Sequence, residues 1–218
     1  VLDSSTGTAD PTHFLGPKTG ICNRLGTYGV TMALVDPVSG VDATGVAYDS
    51  ATYNAATAAP FLTLGKAARA IRDYNAARVP TRDDVGGGIV EMKDGTHTWL
   101  GVTTSGGYGT TPGTWITFRK APTATRSGVI LGAASGNSDV SDRVKFEDIT
   151  VSTTTTAFSN CLAMWLHNCN LQASGAATWN TATQRVWITG GSVGPFTQKL
   201  RHYGATDMSF PLVRGTDL

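Results

Sequence analysis

The chain has 218 residues, with 17 Lys plus Arg against 16 Asp plus Glu, and it contains 26 glycines. The near balance of charge gives no basis for binding nucleic acid or an anionic membrane surface. No apolar run approaches the roughly 18 residues that a membrane-spanning helix needs. The composition therefore predicts one domain of short strands and tight turns, with no nucleic-acid partner and no insertion into a membrane.

The first part of the chain divides into an arm and the start of a domain. Residues 1–31 are rich in Gly, Thr and Pro and have no sustained period, which predicts an irregular N-terminal arm. Residues 32–218 are predicted to form the domain, and Met32–Val35 is its first strand.

A helix is predicted over about 64–78. Apolar residues recur at helical spacing from Leu64 to Tyr74, and either Thr63 or Gly65 can cap the start. Pro80 follows and is expected to stop the helix.

Short strands separated by polar loops are predicted from about 86 to 210. The first of them are Ile89–Met92, Thr96–Leu100, Thr114–Phe118 and Val129–Leu131. A weak last copy at Arg201–Met208 precedes an end without an evident cap, and repeat folds need caps. This predicts that the natural protein continues beyond the chain.

A repeat stands out among the strands. Val144–Val151, Met164–Leu171 and Val186–Val193 are each apolar at the first, third and eighth places. They begin 20 to 22 residues apart, a period typical of one coil of a solenoid.

Alternation along each repeat predicts an inside and an outside, because successive side chains of a strand point to opposite faces. Val144, Phe146 and Val151 are expected inside, so Lys145 and Glu147 point outward. The aligned outward residues of the later copies, with Trp115 added from the similar strand Thr-Trp-Ile-Thr, predict a contact face made of Trp115, Trp165, His167 and Trp187.

Two interpretations of this face are open. Indoles offer a broad apolar surface and an N–H donor, which suits a platform for a polysaccharide or a cell-surface glycan. Alternatively, a loop or another subunit covers the rings, since an exposed aromatic stripe marks a contact without naming it.

Polar side chains beside the tryptophans are the candidates for catalysis. They are Arg143, Lys145, Glu147 and Asp148. With Asp139 and Asp142 nearby, calcium or acid/base chemistry is one interpretation, but an ordinary polar turn is favoured, and no metal site is predicted. Asp148, Asn168 and Gly190 share the fifth place of the repeat, where bonds to backbone groups of neighbouring coils are expected.

No metal-binding or catalytic role is predicted for the single histidines and the cysteines. His97, His167 and His202 are predicted to be surface or turn residues. Cys22, Cys161 and Cys169 fit no zinc spacing and are expected to be small buried side chains, although a disulfide between Cys161 and Cys169 stays open.

Three segments together resemble the entry to pectate-lyase-like proteins with right-handed parallel β-helices. They carry the turn Gly40-Val41-Asp42, the segment Pro60-Phe61-Leu62-Thr63 before the helix, and Asp94-Gly95-Thr96 after a Gly-rich strand. The resemblance covers about 32–98 well and the later strands only in style. It implies an all-β, right-handed, single-stranded parallel β-helix, a solenoid with an N-terminal capping α-helix at about 64–78.

The resemblance also bounds the function. The superfamily includes secreted polysaccharide lyases and hydrolases, phage tailspikes and fibres, and adhesins. No catalytic motif of those enzymes matches residue by residue here. We therefore expect an extracellular or virion surface module that engages glycans or partner subunits, in a homotrimer or a larger assembly and without a cofactor. The alternative is a secreted polysaccharide lyase or hydrolase, for which calcium would be the cofactor.

Overall fold

The computed structural model describes residues 30–78, 87–98, 115–132, 143–153, 163–173, 180–181, 186–193, 201–202 and 212–214. Within these ranges the chain forms fifteen strands and one helix. In chain order they are β1 (Thr31–Val35), β2 (Ala47–Asp49), α1 (Leu64–Arg78), β3 (Gly88–Met92), β4 (Gly95–His97), β5 (Ile116–Lys120), β6 (Val129–Leu131), β7 (Arg143–Glu147), β8 (Thr150–Thr153), β9 (Ala163–His167), β10 (Asn170–Ala173), β11 (Asn180–Thr181), β12 (Val186–Thr189), β13 (Ser192–Val193), β14 (Arg201–His202) and β15 (Leu212–Arg214). The arm predicted over 1–31 lies almost wholly outside the described residues, as does the end of the predicted strand Thr96–Leu100.

The strands form two large sheets and one small one. The eight-stranded sheet has the order β15-β12-β9-β7-β5-β3-β1-β2, the five-stranded sheet has the order β13-β10-β8-β6-β4, and β11 pairs with β14. From β3 to β10, successive strands alternate between the two large sheets. All pairs among the described strands are parallel except β1 with β2.

The predicted all-β parallel β-helix is wrong. The eight-stranded sheet is mixed, because β2 runs antiparallel to β1, and a 15-residue helix packs beside it. None of the sheets described here closes into a solenoid. These features belong to an α/β-type fold. A repeat of strands determines which residues lie beside one another, but it does not determine whether the sheets close.

The alignment of the repeat is confirmed by the strand register. Val144 pairs with Met164, and Met164 pairs with Val186, so equivalent residues of the three copies lie side by side. Each copy is two strands rather than one, since a turn at the fifth place separates β7 from β8 and β9 from β10.

The core consists of rows of inward side chains that cross the strands. Val90, Phe118, Phe146, Leu166 and Ile188 form one such row and are essentially without solvent contact. The rings of Phe118 and Phe146 stack with centroids 5.4 Å apart. Val144, Phe146 and Val151 are all buried as predicted.

The helix α1 has the predicted bounds, and its cap is Thr63. The Thr63 hydroxyl accepts a hydrogen bond from the Lys66 N–H, which satisfies one donor of the first turn. Asp42 holds Thr63 in place by accepting bonds from its N–H and its hydroxyl. Ala67 and Ile71 are among the side chains fully buried on the face that packs against β1, β2 and β3. Within the described ranges, no helix has the length and apolarity needed to cross a membrane.

His97 is buried, and its prediction as a surface or turn residue is wrong. It stands in the inward row of the five-stranded sheet with Leu131, Val151 and Leu171, and only 2% of it is exposed. Its Nε2 donates to the Lys93 carbonyl over 2.8 Å, and its Nδ1 has no partner among the described residues. Burial lowers the pKa of His97, and this outweighs the opposing effects of the Lys93 bond and the Asp36 charge.

We expect His97 to make folding sensitive to mild acid. Since its pKa is lower in the folded chain than the roughly 6.5 of a free histidine, the unfolded chain binds more protons. The free energy of unfolding should therefore fall as the pH drops below about 6.5, by up to about 1.4 kcal/mol per pH unit. Urea unfolding at intervals from pH 7.5 to 5 measures this slope.

The variant His97→Leu should remove that part of the slope, because leucine matches the row of Leu131 and Leu171 and does not titrate. The control is Leu62→Ala, which removes an exposed apolar side chain outside this row and should keep the slope. An unchanged slope in His97→Leu would assign the acid sensitivity to another group.

Candidate ligand-binding face

Two rows of outward side chains run side by side across the eight-stranded sheet. The aromatic row consists of Thr117, Lys145, Trp165 and Trp187, which the register places next to one another. The polar row lies two residues further along each strand and consists of Glu91, Arg119, Glu147, His167 and Thr189. Neighbouring strands are about 4.8 Å apart, so each side chain lies beside the next in its row.

Trp115 lies on this face, but not at the register position that was predicted for it. Equating it with Trp187 is wrong by two residues, because Thr117 rather than Trp115 pairs with Lys145. A shift of two keeps a side chain on the same face of a strand. The Trp115 ring lies 5.9 Å from the Trp187 ring, with the planes tilted by 59°. The three indoles therefore share one face, and their binding role stays a prediction.

The indoles line an open pocket of about 520 Å³. Its lining residues are Trp115, Thr117, Lys145, Trp165, Trp187 and Thr189. All six are partly exposed. The pocket wall is therefore largely aromatic, with two hydroxyl groups and one ammonium as its polar functions.

Trp165 is fixed by polar contacts on both sides. Its Nε1 donates to the Thr189 hydroxyl over 2.7 Å. The Lys145 ammonium lies 4.6 Å from the ring centroid, within the range of a cation–π contact. The His167 ring lies 5.6 Å away and is tilted by 60°. Trp165 thus offers a preorganised ring rather than one that must be ordered by a ligand.

The catalytic candidates Lys145 and Glu147 pair with each other. The Lys145 ammonium lies 3.1 Å from Glu147 Oε1, and the Nε2 atom of His167 lies 3.9 Å from the same oxygen. The latter distance is too long for a hydrogen bond. The side chains are 19% and 26% exposed for Lys145 and Glu147, and 42% for His167. The Arg143 backbone pairs with Ala163, but its side chain lies outside the described residues, as do Asp139 and Asp142.

Asp148 is separated from this group by a turn in the backbone. Its φ is 56°, that of Asn168 is 54° and that of Gly190 is 66°, so all three adopt the left-handed conformation. Asn, Asp and Gly adopt this region more readily than other residues, which explains why they occupy the fifth place of the repeat. The carboxylate of Asp148 accepts bonds from the side chains of Arg126 and Asn168. The expected bond to a backbone group of the neighbouring copy is made by the Asp148 N–H, which donates to the His167 carbonyl.

A buried polar cluster on the same face escaped prediction. Glu91 is only 1% exposed, and its carboxylate accepts bonds from Arg119 at 2.8 Å and from the Tyr53 hydroxyl at 2.9 Å. Burial and the bond to Glu91 raise the pKa of Tyr53. The one signal in the sequence is a single carboxylate inside the apolar strand Ile89–Met92, where an unpaired charge would be costly.

The described residues contain no group of three or more His, Cys, Asp or Glu side chains arranged to hold a metal ion. Cys169 is a free, buried thiol that lies 3.4 Å from the Phe146 and His167 carbonyl oxygens. Burial raises the pKa of this thiol to about 12. Its interpretation as a small buried side chain is confirmed, while Cys22 and Cys161 lie outside the described residues.

The left-handed turns predict unequal tolerance at two adjacent glycines. A Cβ on Gly190 would meet nothing nearer than 3.7 Å, whereas one on Gly191 would lie 2.1 Å from the Cys169 carbonyl oxygen. Gly190→Asn, which copies Asn168, should therefore cost about 1 kcal/mol or less. Gly191→Asn should cost roughly 3 kcal/mol or more, because the backbone must move. Urea unfolding compares the two variants, and equal costs would contradict the turn geometry.

Comparison with family models, with curated proteins and with solved structures gives no match to this chain. The resemblance to pectate-lyase-like proteins accordingly stays a prediction about sequence motifs. The assignment of a function rests on the side chains that line the pocket and on the polar contacts around them.

Proposed function

We propose that this chain is an extracellular or virion surface module that binds glycans through the face formed by Trp115, Trp165 and Trp187. The single observation that supports this most is the pocket of about 520 Å³ walled by these three indoles. A sugar ring has an apolar face that stacks on an indole and hydroxyl groups that need partners at its edge. Thr117, Thr189 and Lys145 supply such partners in the same wall.

The exposure of the indoles and the fixed position of Trp165 favour a bound ligand at this place. The indoles are partly exposed although they lie on a packed sheet, and an aromatic patch rimmed by polar groups marks a contact surface. Trp165 is already held by Thr189 and Lys145, so binding costs little side-chain entropy.

The arrangement favours binding over cleavage. Glycoside hydrolysis uses two carboxyl groups that flank the scissile bond. Among the described side chains, those lining the pocket include no carboxylate, and Glu147 is paired with Lys145 beside it. Asp148 belongs to a turn and is bonded to Arg126 and Asn168.

Trp165→Ala and Trp187→Ala should each weaken glycan binding by at least about tenfold, equivalent to about 1.4 kcal/mol. The measurement is retention on immobilised polysaccharides, followed by calorimetry with cellohexaose, chitohexaose and tetragalacturonate. Leu62→Ala is the matched control, since Leu62 is a 45% exposed apolar side chain that does not line the pocket. Unfolding curves confirm that each variant folds.

Other outcomes would replace the proposal. If no glycan is retained but sedimentation shows an oligomer that Trp187→Ala dissociates, the face is a subunit interface. If incubation with the same glycans releases unsaturated products or new reducing ends, the chain is an enzyme. Unchanged retention in both tryptophan variants would show that these indoles do not bind the glycan.

A further inference from the structure

The hydroxyl of Thr189, in the wall of the pocket, contacts two neighbouring side chains. It lies 2.7 Å from Trp165 Nε1 and 2.9 Å from His167 Nδ1, and Thr189 itself lines the pocket. A threonine hydroxyl has one hydrogen to donate and two lone pairs to accept with. The direction of each of these bonds therefore determines what Thr189 can offer to a ligand.

The indole sets the first direction. An indole N–H can only donate, so one lone pair of Thr189 is always taken by Trp165. In neutral His167, one ring nitrogen carries hydrogen and the other accepts. The Glu147 carboxylate lies 3.9 Å from Nε2, beyond hydrogen-bond range, but its negative charge favours the tautomer with the hydrogen on Nε2. Nδ1 then accepts the Thr189 hydrogen, and one lone pair of Thr189 is left for the pocket.

Protonation of His167 reverses the second bond. Both ring nitrogens of a charged histidine donate, so Nδ1 must give its hydrogen to Thr189. Both lone pairs of Thr189 are then occupied, by Trp165 and by His167. The hydroxyl hydrogen is released from His167 and becomes the group that Thr189 can offer to a ligand.

The charges around His167 accommodate this change. Glu147 lies on the neighbouring strand β7 and attracts the charged ring, while Lys145, which shares Glu147, opposes it. The strand β12 contributes the uncharged Thr189. Asp148, in the turn after β7, is bonded to Arg126 and Asn168, and Arg119 on β5 is paired with Glu91.

We infer that His167 sets the hydrogen-bonding polarity of the pocket, so that Thr189 accepts from a ligand when His167 is neutral and donates to it when His167 is charged. The inference rests on the proposed glycan binding for its consequence, though not for the hydrogen-bond reversal itself. Lowering the pH charges histidine, so the preferred ligand group depends on pH. Acid should favour groups that only accept, such as carboxylates.

The reversal is tested first in the free protein by NMR. The indole N–H resonance of Trp165, identified by its loss in Trp165→Phe, should shift between pH 8 and 5 with the same midpoint as the His167 ring. In His167→Asn the amide oxygen replaces Nδ1 as an acceptor and does not titrate, so the shift should vanish. A Trp165 resonance that does not shift as His167 titrates would overturn the inference, whatever the chain binds.

The consequence is tested with two ligands. Tetragalacturonate, whose carboxylates accept, should bind roughly three- to tenfold more tightly at pH 5.5 than at pH 7.5, the equivalent of one hydrogen bond. Cellohexaose, whose hydroxyls both donate and accept, should change much less. Thr189→Val keeps the His167 charge but lacks the hydroxyl, and it should lose most of the pH effect. If Thr189→Val keeps the effect, charge alone causes it and the reversal is wrong.

The two proposals fail in distinguishable ways. If neither glycan binds the wild type at either pH, the proposed function is wrong, while the NMR titration still decides the hydrogen-bond reversal. If glycans bind but Trp165 and His167 titrate independently, the function stands and the reversal falls.

Discussion

The in-register pairing of parallel strands is the constraint on which the rest of this structure depends. Side chains alternate between faces with a period of two, so a slip of one residue exchanges the faces of a strand. If β9 slipped by one residue against β7, Leu166 would leave the core row of Phe146, and Trp165 would enter it. The slip would expose several apolar side chains, and losing their burial would cost roughly 2 kcal/mol for each. The core therefore determines the position of the outer rows, and the pocket depends on packing on the opposite face of the sheet.

The turns at Asp148, Asn168 and Gly190 keep successive strands in step. Each lies at the end of its strand and holds a left-handed conformation, so the chain leaves the eight-stranded sheet at the same level every time. The N–H of Asp148 donates to the His167 carbonyl, and that of Asn168 to the Thr189 carbonyl. These bonds join the ends of the very strands that carry the aromatic row. The turn row and the pocket are thus consequences of one alignment.

The sequence predicted those features that arise from short periods. Alternation identified Val144, Phe146 and Val151 as inward residues, and helical spacing gave α1 from Leu64 to Arg78. The sequence did not predict closure or class, since neither the open sheets nor the antiparallel β2 leaves a periodic signal. The alignment of Trp115 with Trp187 is wrong because the similarity of two short sequences does not show where each strand begins. Burial of His97 depends on the neighbouring rows, which a single residue type does not reveal. The close approach of the three indoles likewise required the register, and their ligand remains a proposal.

The polar row is more exposed beside the pocket than at β3. At β3 the side chain of Glu91 is 2% exposed, and it is paired with Arg119 and hydrogen-bonded by Tyr53. At β9 the equivalent side chain, His167, is 42% exposed. Tyr53 bonds to Glu91 at the start of this row, whereas Thr189 at its other end lines the pocket with the indoles. The polar row thus begins with a buried carboxylate bonded to Arg119 and Tyr53 and continues to the half-exposed His167 beside the pocket. The more exposed His167, rather than Glu91, therefore lies next to the Thr189 hydroxyl that lines the pocket.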